Sequence, residues 1–340
     1  MDAPTRSYRV LLVIPLIILA AAVVTTSGRA DAAVGAQPAE KRIVLRLAHG
    51  NTAPSVRGVS AELFSKRVNA LTSGQVNVQV FGDSRIATEG QAIEGMQVGT
   101  IDMGVITLYS TVVTAGMVFD LPYVFRDYEH WAKAVDGAPG RMVAETAPEK
   151  GLRILGYWWA GYRDVYGSKP IKTPADIKGV KIRTHTMAPL VELFKALGSI
   201  PTPLPWPEVY LALQQKTVDA AEATVEALFD AKHYEVAKQI SLTDHTVATT
   251  PLLISESKWN TLPQSVQQAM ITAAREATVY NREQFRKAND EIEKVLVQKG
   301  CVITRPDTTP FQAMVKTQVR SKLITNPLQE RILAEVEKVQ

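Results

Sequence analysis

Two arginines, Arg163 and Arg183, are the side chains whose type and spacing most suggest chemistry. Arg163 follows the aromatic run "GYWWAGY" and Arg183 follows "GVKI", each near the end of a stretch that reads as a strand. A guanidinium presents a planar donor fork that can hold a carboxylate through two parallel, charge-assisted hydrogen bonds. Aromatic neighbours add apolar area and exclude water. Trp158 and Trp159 precede Arg163, and the stiff segment "PTPLPWPEVY", with prolines at 201, 203, 205 and 207, displays Trp206. Arginine and tryptophan together in a cleft between two domains would suit a small organic acid. Spacing alone leaves two other readings open: surface ion pairs for the arginines, and core packing for the tryptophans.

Other chemistries lack their residues. His49, His130, His185, His233 and His245 are widely separated and form no H-E-x-x-H motif or Cys/His cluster, so no metal site is expected. There is no phosphate-cradling glycine loop, no dinucleotide fingerprint and no G-x-S-x-G elbow, so no cofactor is expected either. Glu222 and Glu226 stand at i and i+4, a spacing common on exposed surfaces. An exported enzyme acting on an acid, with Glu222 as general base, is the catalytic reading this leaves. Cys301 is the lone cysteine and sits in "GCVIT", which reads as a buried strand holding an inert thiol.

The elements that would position these residues alternate along the chain. "RIVLRLAHG" and "QVNVQVF" read as strands around a helix, "SVRGVSAELFSKRVNALTSG", that stops at Gly74. A helix over "EGQAIEGMQVGT" and a strand over "IDMGVI" follow, so this β-α-β-α-β run implies parallel strands. "LRILGYWWAGYRDVYGS" reads as a strand long enough to cross between domains. Beyond it come a strand at "VKIRT", helices at "MAPLVELFKALG" and "EVYLALQQKT", and a strand at "VDAAEA". Near the C-terminus a helical pattern persists over more than 30 residues from "LPQSVQQ" to "VLVQKG". It predicts a spine running along two lobes.

Length and composition agree with two α/β domains: 340 residues, 46% hydrophobic and 21% charged. The net charge of +4 is small and scattered, which argues against a nucleic-acid partner. Arg6 and Arg9 precede an uncharged run from Val10 to Val24, and Ala30-Asp31-Ala32 follows as a small-residue cleavage site. Residues 1–32 therefore read as a secretory signal peptide and 33–41 as a flexible start to an exported, periplasmic chain.

The segments "EGMQVGTIDMGV", "FDLPYVFRD", "GYRDVYGSKPIKTPADIKGVKIR", "PWPEVYLALQQKTVDAAEA" and "LTDH" occur in an order and spacing that resembles the DctP-type solute-binding proteins of TRAP transporters, the tripartite ATP-independent periplasmic systems. The resemblance runs from about Ile43 to Leu333. It implies a periplasmic-binding-protein-like α/β fold of two lobes, each a mixed sheet flanked by helices, with a hinge and a long lobe-spanning helix. Residues 42–160 plus about 249–288 would form lobe I, and about 161–248 plus about 289–340 lobe II. The resemblance makes Arg183 the carboxylate anchor and Arg163 its assistant. It places Trp206 and, more loosely, Thr107 against the ligand, and the aromatic run before Arg163 adds Trp158 as an expected neighbour. Glu222 and Ala223 fall in the stretch where relatives read "DgxEN", and the asparagine of that pattern is Ala223 here. Losing that amide donor disfavours a sialic-acid-like ligand, and Trp158, Trp159 and Trp206 lean the reading toward a monocarboxylate with a modest or apolar tail, such as a hydroxy or oxo acid, with dicarboxylates and sugar acids left open. The implied partner is a TRAP membrane permease; a sensor kinase is the alternative.

Overall fold

The computed structural model describes residues 42–340. The expected signal peptide (1–32) and the following stretch (33–41) lie outside the described residues.

The first half contains β1 (Ile43–His49), α1 (Val56–Leu71), β2 (Val76–Phe81), α2 (Glu89–Val98) and β3 (Met103–Val105). Two 3-10 turns lead to α3 (Tyr128–Asp136), α4 (Ala138–Thr146) and the 16-residue strand β4 (Leu152–Gly167). The second half contains α5 (Pro174–Ile177), β5 (Lys181–Thr184), α6 (Ala188–Ala196), β6 (Ile200–Pro203), α7 (Val209–Gln214), β7 (Ala220–Thr224) and α8 (Val225–Asp230). A 17-residue strand, β8 (Gln239–Ser255), is followed by α9 (Glu256–Thr261), α10 (Gln264–Gln298), β9 (Val302–Thr304), α11 (Thr309–Leu323) and α12 (Pro327–Lys338).

The strands form one mixed sheet in the order β2-β1-β3-β8-β4-β7-β5-β6, with β9 beside β8. β1 pairs in parallel with β2 and β3, as the β-α-β-α-β pattern requires, and β5 pairs in parallel with β6 and β7. The two parallel groups are the lobes. Between them β4 and β8 run antiparallel along their whole length, Leu152 opposite Ser255 at one end and Gly167 opposite Gln239 at the other. Both strands therefore belong to both lobes. Their register slips between Trp159 and Tyr162, where Gly161 takes φ +92°, a left-handed conformation that suits glycine.

Three hydrophobic clusters fill the space. One lies between the β1–β3 strands and α1 with α10, and includes Leu47, Phe64, Val105, Trp158 and Met270. A second surrounds α7, α8 and β7, with Tyr166, Leu228 and Cys301. The largest runs through both lobes. Burying a side chain such as Phe64 contributes roughly 1.5–3 kcal/mol. Cys301 is buried as the sequence suggests, but Val302 beside it is half exposed, so the strand itself is an edge.

The 35-residue α10 packs on α1, β4 and α8, and so touches both lobes. At its middle, Arg282 donates to both Asp136 carboxylate oxygens and to the Tyr157 carbonyl, and Asn281 accepts from the Trp159 N–H. This pins the spine to the crossing strand just before Gly161. Further on, α11 packs against α6, whereas α12 returns to α4. The stretch 289–340 thus contacts both lobes.

Candidate functional site

A cavity of about 820 Å³, including its open mouth, lies between the lobes. From lobe I it is lined by Arg57, Glu89 and Thr107, among others. From lobe II and the crossing strands it is lined by Arg163, His185, Trp206 and Ala223. Local sequence explains each position. The α1 N-cap, Ser55, accepts from Gly58 N–H, which leaves Arg57 in the first helical turn. Thr88 and Gln91 form a capping box that starts α2 at Glu89. Arg163 follows the Gly161 irregularity on β4, and the proline-rich segment folds Trp206 against Arg183 of β5 and the His233 ring.

Glu222 organises the lobe II side. It is fully buried on β7 and accepts from Arg163 Nε at 2.5 Å and from the His185 backbone N–H at 2.8 Å. His245 Nε2 lies 3.7 Å away and Arg183 Nη1 3.9 Å away. Burial alone would raise the pKa of this carboxyl; Arg163, His245 and Arg183 outweigh that and hold it well below the usual range. Arg183 has no exposed surface. Its Nε donates to the Leu204 carbonyl at 2.9 Å and its Nη2 to the same oxygen, while Nη1 makes no hydrogen bond among the described residues. Burial pushes its pKa down to about 10, so it stays charged at neutral pH.

On the lobe I side, Glu89 Oε2 accepts from the Thr107 and Leu108 backbone N–H groups at 3.1 and 3.0 Å. Its Oε1 faces Arg57 Nη1 at 3.3 Å, and Arg57 Nη2 reaches the Thr107 and Thr250 hydroxyls, each at 3.4 Å. His185 Nδ1 accepts from Thr186 N–H, which leaves its Nε2 facing Glu89 at 3.6 Å from the other lobe. Two further contacts join the lobes: Thr52 N–H donates to Asp230 at 2.9 Å, and Val56 N–H donates to Glu226 at 3.2 Å. Burial, and then Asp230, push the Glu226 carboxyl up to about 7.

The charges nearly balance. Arg57, Arg163 and Arg183 stand against Glu89 and Glu222. The nearby histidines add nothing at neutral pH. Burial and then neighbouring arginines drive His185 well below its ordinary range, and hold His49 and His233 at about 3. Burial also lowers His245, against the pull of Glu222. These three arginines and two carboxylates leave one positive charge in excess, which a partly ionised Glu226 offsets in part.

Of the residues singled out by sequence, Arg163, Trp206, Thr107 and Ala223 line the cavity. Arg183 and Glu222 do not; they lie one layer back, with the Arg183 guanidinium 5.6 Å from the Trp206 ring. The placement expected for Trp158 is corrected: it is 1% exposed and packs in the cluster with Leu47 and Met270, where its indole buries apolar area away from the cavity. Arg57, Glu89 and His185 are lining residues that the sequence reading passed over. Arg57 did leave a signal, because a cation in the first turn of a helix opposes the macrodipole and needs a compensating acid. Among the described residues, no group of three or more His, Cys, Asp or Glu is placed to hold a metal, and no helix is long and apolar enough to cross a membrane.

A lobed fold closed around a charged cavity defines a ligand receptor, and comparison with known proteins gives its family. Residues 47–326 match the model of the bacterial extracellular solute-binding proteins, family 7 (DctP). The chain is 33% identical over 304 residues to the 2,3-diketo-L-gulonate-binding periplasmic protein YiaO of Escherichia coli, covering 87% of this chain and 92% of that one. Among solved structures, a TRAP periplasmic solute-binding protein of Xanthobacter autotrophicus with bound β-D-galacturonate superposes with a TM-score of 0.85 at 28% identity, covering 87% of this chain and 100% of the other. The sugar acid binding protein of Advenella mimigardefordensis in complex with galactonate gives 0.84 at 26% identity, over 88% and 99%. The chain belongs to the family 7 solute-binding proteins of the TRAP type, and is a receptor rather than an enzyme.

Proposed function

We propose that the protein is exported to the periplasm, binds a small organic monocarboxylate, of the sugar-acid class, between its lobes, and delivers it to a TRAP permease. The observation that carries this reading is Arg163 on the cavity wall, within a set of three arginines matched by only two paired carboxylates. A ligand carboxylate would exchange its hydration for Arg163 and for the field of Arg183 behind Trp206. At 4 Å and an effective dielectric of 20, one such charge pair gains about 4 kcal/mol before desolvation is subtracted. The relatives support a sugar acid, since their ligands are diketogulonate, galacturonate and galactonate. In this reading 42–160 with about 249–288 closes on 161–248 over the acid, while 289–340, expected with the second body, packs on both and links them. Closure removes water and strengthens the pairing, while closing an empty, charged cavity is unfavourable. The permease can thereby distinguish loaded receptor from empty.

The test is calorimetry against a panel of sugar acids and their uncharged parent sugars, with mass spectrometry of acid carried through purification. Binding of acids only, weakened at least 100-fold in Arg163→Gln, is the expected result. Equal affinity for the uncharged sugars, or near-normal affinity in the variant, would overturn the reading.

A further inference from the structure

We propose that the Arg57–Glu89 pair of lobe I is the specificity element for the ligand tail: it selects an oxygen-bearing tail and at the same time refuses a second carboxylate. This rests on the acid-binding reading above and adds the chemistry of the ligand groups that face lobe I.

Arg57 is 7% exposed yet loosely held. Its three contacts, to Glu89 Oε1, Thr107 Oγ1 and Thr250 Oγ1, span 3.3–3.4 Å, beyond the ordinary range for good N–H···O bonds. A nearly buried guanidinium with weak acceptors is a donor set that a ligand oxygen can complete. An alkyl tail would cover these donors without satisfying them, which is the situation in which polar sites discriminate strongly. Glu89 has the complementary task. Two backbone N–H groups fix its Oε2, so its Oε1 stays beside Arg57. The pair therefore presents donors without net charge. It can bind a hydroxyl or keto oxygen, but offers no unbalanced cation to a second carboxylate. The uncompensated charge of the site comes from Arg163 and Arg183 with Glu222, whose closest contacts are all in lobe II and the crossing strands. The two walls of the cavity thus differ, the lobe II wall matched to an anion and the lobe I wall to a neutral polar group.

The expected behaviour separates this pair from a merely structural one, because its two members shift preference in opposite directions. Three probes suffice in calorimetry: D-galactonate, galactarate (the same chain with a second carboxylate) and hexanoate (the same length without hydroxyls). Wild type should prefer galactonate over both by at least 10-fold. Arg57→Met should lose 10- to 100-fold for galactonate and leave hexanoate unchanged or improved. Glu89→Gln should instead raise galactarate relative to galactonate by at least 10-fold, since Arg57 is then unbalanced. Melting temperatures check that each variant is folded, and Glu89→Gln keeps the test alive should Arg57→Met fail to fold. If wild type binds hexanoate as tightly as galactonate, or if folded variants lose all three probes in equal proportion, the inference is wrong. If wild type binds none of these acids while binding uncharged sugars, the acid-binding reading itself falls.

Discussion

Glu222→Gln is the perturbation with the most structural consequence. The substitution keeps the shape of a fully buried side chain but removes the one carboxylate shared by Arg163 and Arg183. Two guanidiniums, 6% and 0% exposed, are left without a counter-charge. Breaking a buried pair from one side costs about 3–5 kcal/mol. Unfolding entropy near 2.1 cal/mol/K per residue, over roughly 300 residues, is about 0.6 kcal/mol/K, so Tm should fall by about 5–8 °C. The effect should also depend on pH. The Glu222 carboxyl is held below its unfolded value, so its stabilisation is fully present above about pH 4.5 and disappears as pH falls through the folded pKa. The variant should therefore approach wild type in acid. An anionic ligand should restore part of the missing charge, giving a larger ligand-induced Tm rise than in wild type. Scanning calorimetry between pH 3 and pH 8, with and without a bound acid, measures all three effects. Glu276→Gln, at the surface pair with Arg67, serves as control and should shift Tm by no more than about 1.6 °C. A Glu222→Gln protein that melts within about 2 °C of wild type at pH 7 would show that Glu222 is not the counter-charge, and the charge balance of the site would have to be redrawn.

Glu226 should behave in the opposite sense. Its carboxyl is raised to about 7 in the folded protein, so it weakens the fold as pH climbs from about 4.5 through 7. The Tm of Glu226→Gln minus that of wild type should therefore grow between pH 5 and pH 8, and parallel curves would contradict the assignment. Ala223 touches the cavity but is almost fully buried in the lobe II cluster, so Ala223→Leu should fill ligand space, weaken acid binding at least 10-fold and also cost about 1–3 kcal/mol of stability. Unchanged affinity in a titration would place the ligand away from β7.

Much of the fold was legible because its signals are local. The helix ending before Gly74, the crossing strand at 152–167 and the long α10 all follow from periodicity and stop residues. The partner of the crossing strand was not legible. β8 carries Ser241, Thr243, His245, Thr246, Thr249 and Thr250, all nearly buried, so before the short apolar run at 252–254 it shows no strand pattern. Those residues are polar because several meet buried groups: His245 faces Glu222, Thr249 accepts from Trp131, and Thr250 meets Arg57. The site shows the same division. Arg163 and Arg183 could be placed at strand ends from local pattern. That Arg183 lies behind Trp206, bound to the Leu204 carbonyl, depends on how the proline-rich segment folds back. The Arg57–Glu89 pair joins two helices 32 positions apart, and no local pattern encodes such a meeting.

The shared strands β4 and β8 also set how this receptor can be assembled and altered. Each strand is grown in one lobe and finished in the other, so no cut through the chain yields two self-contained modules. A lobe expressed alone would end in strands stripped of their outer pairing, an open edge prone to joining other chains. The two strands meet only after about 70–100 intervening residues have been made, which delays the pairing to a late stage of synthesis and slows folding. Swapping a lobe between relatives to transplant its preference would disturb the joint along with the pocket. New specificity is more readily reached by point changes on the cavity wall, within a frame that must be inherited whole.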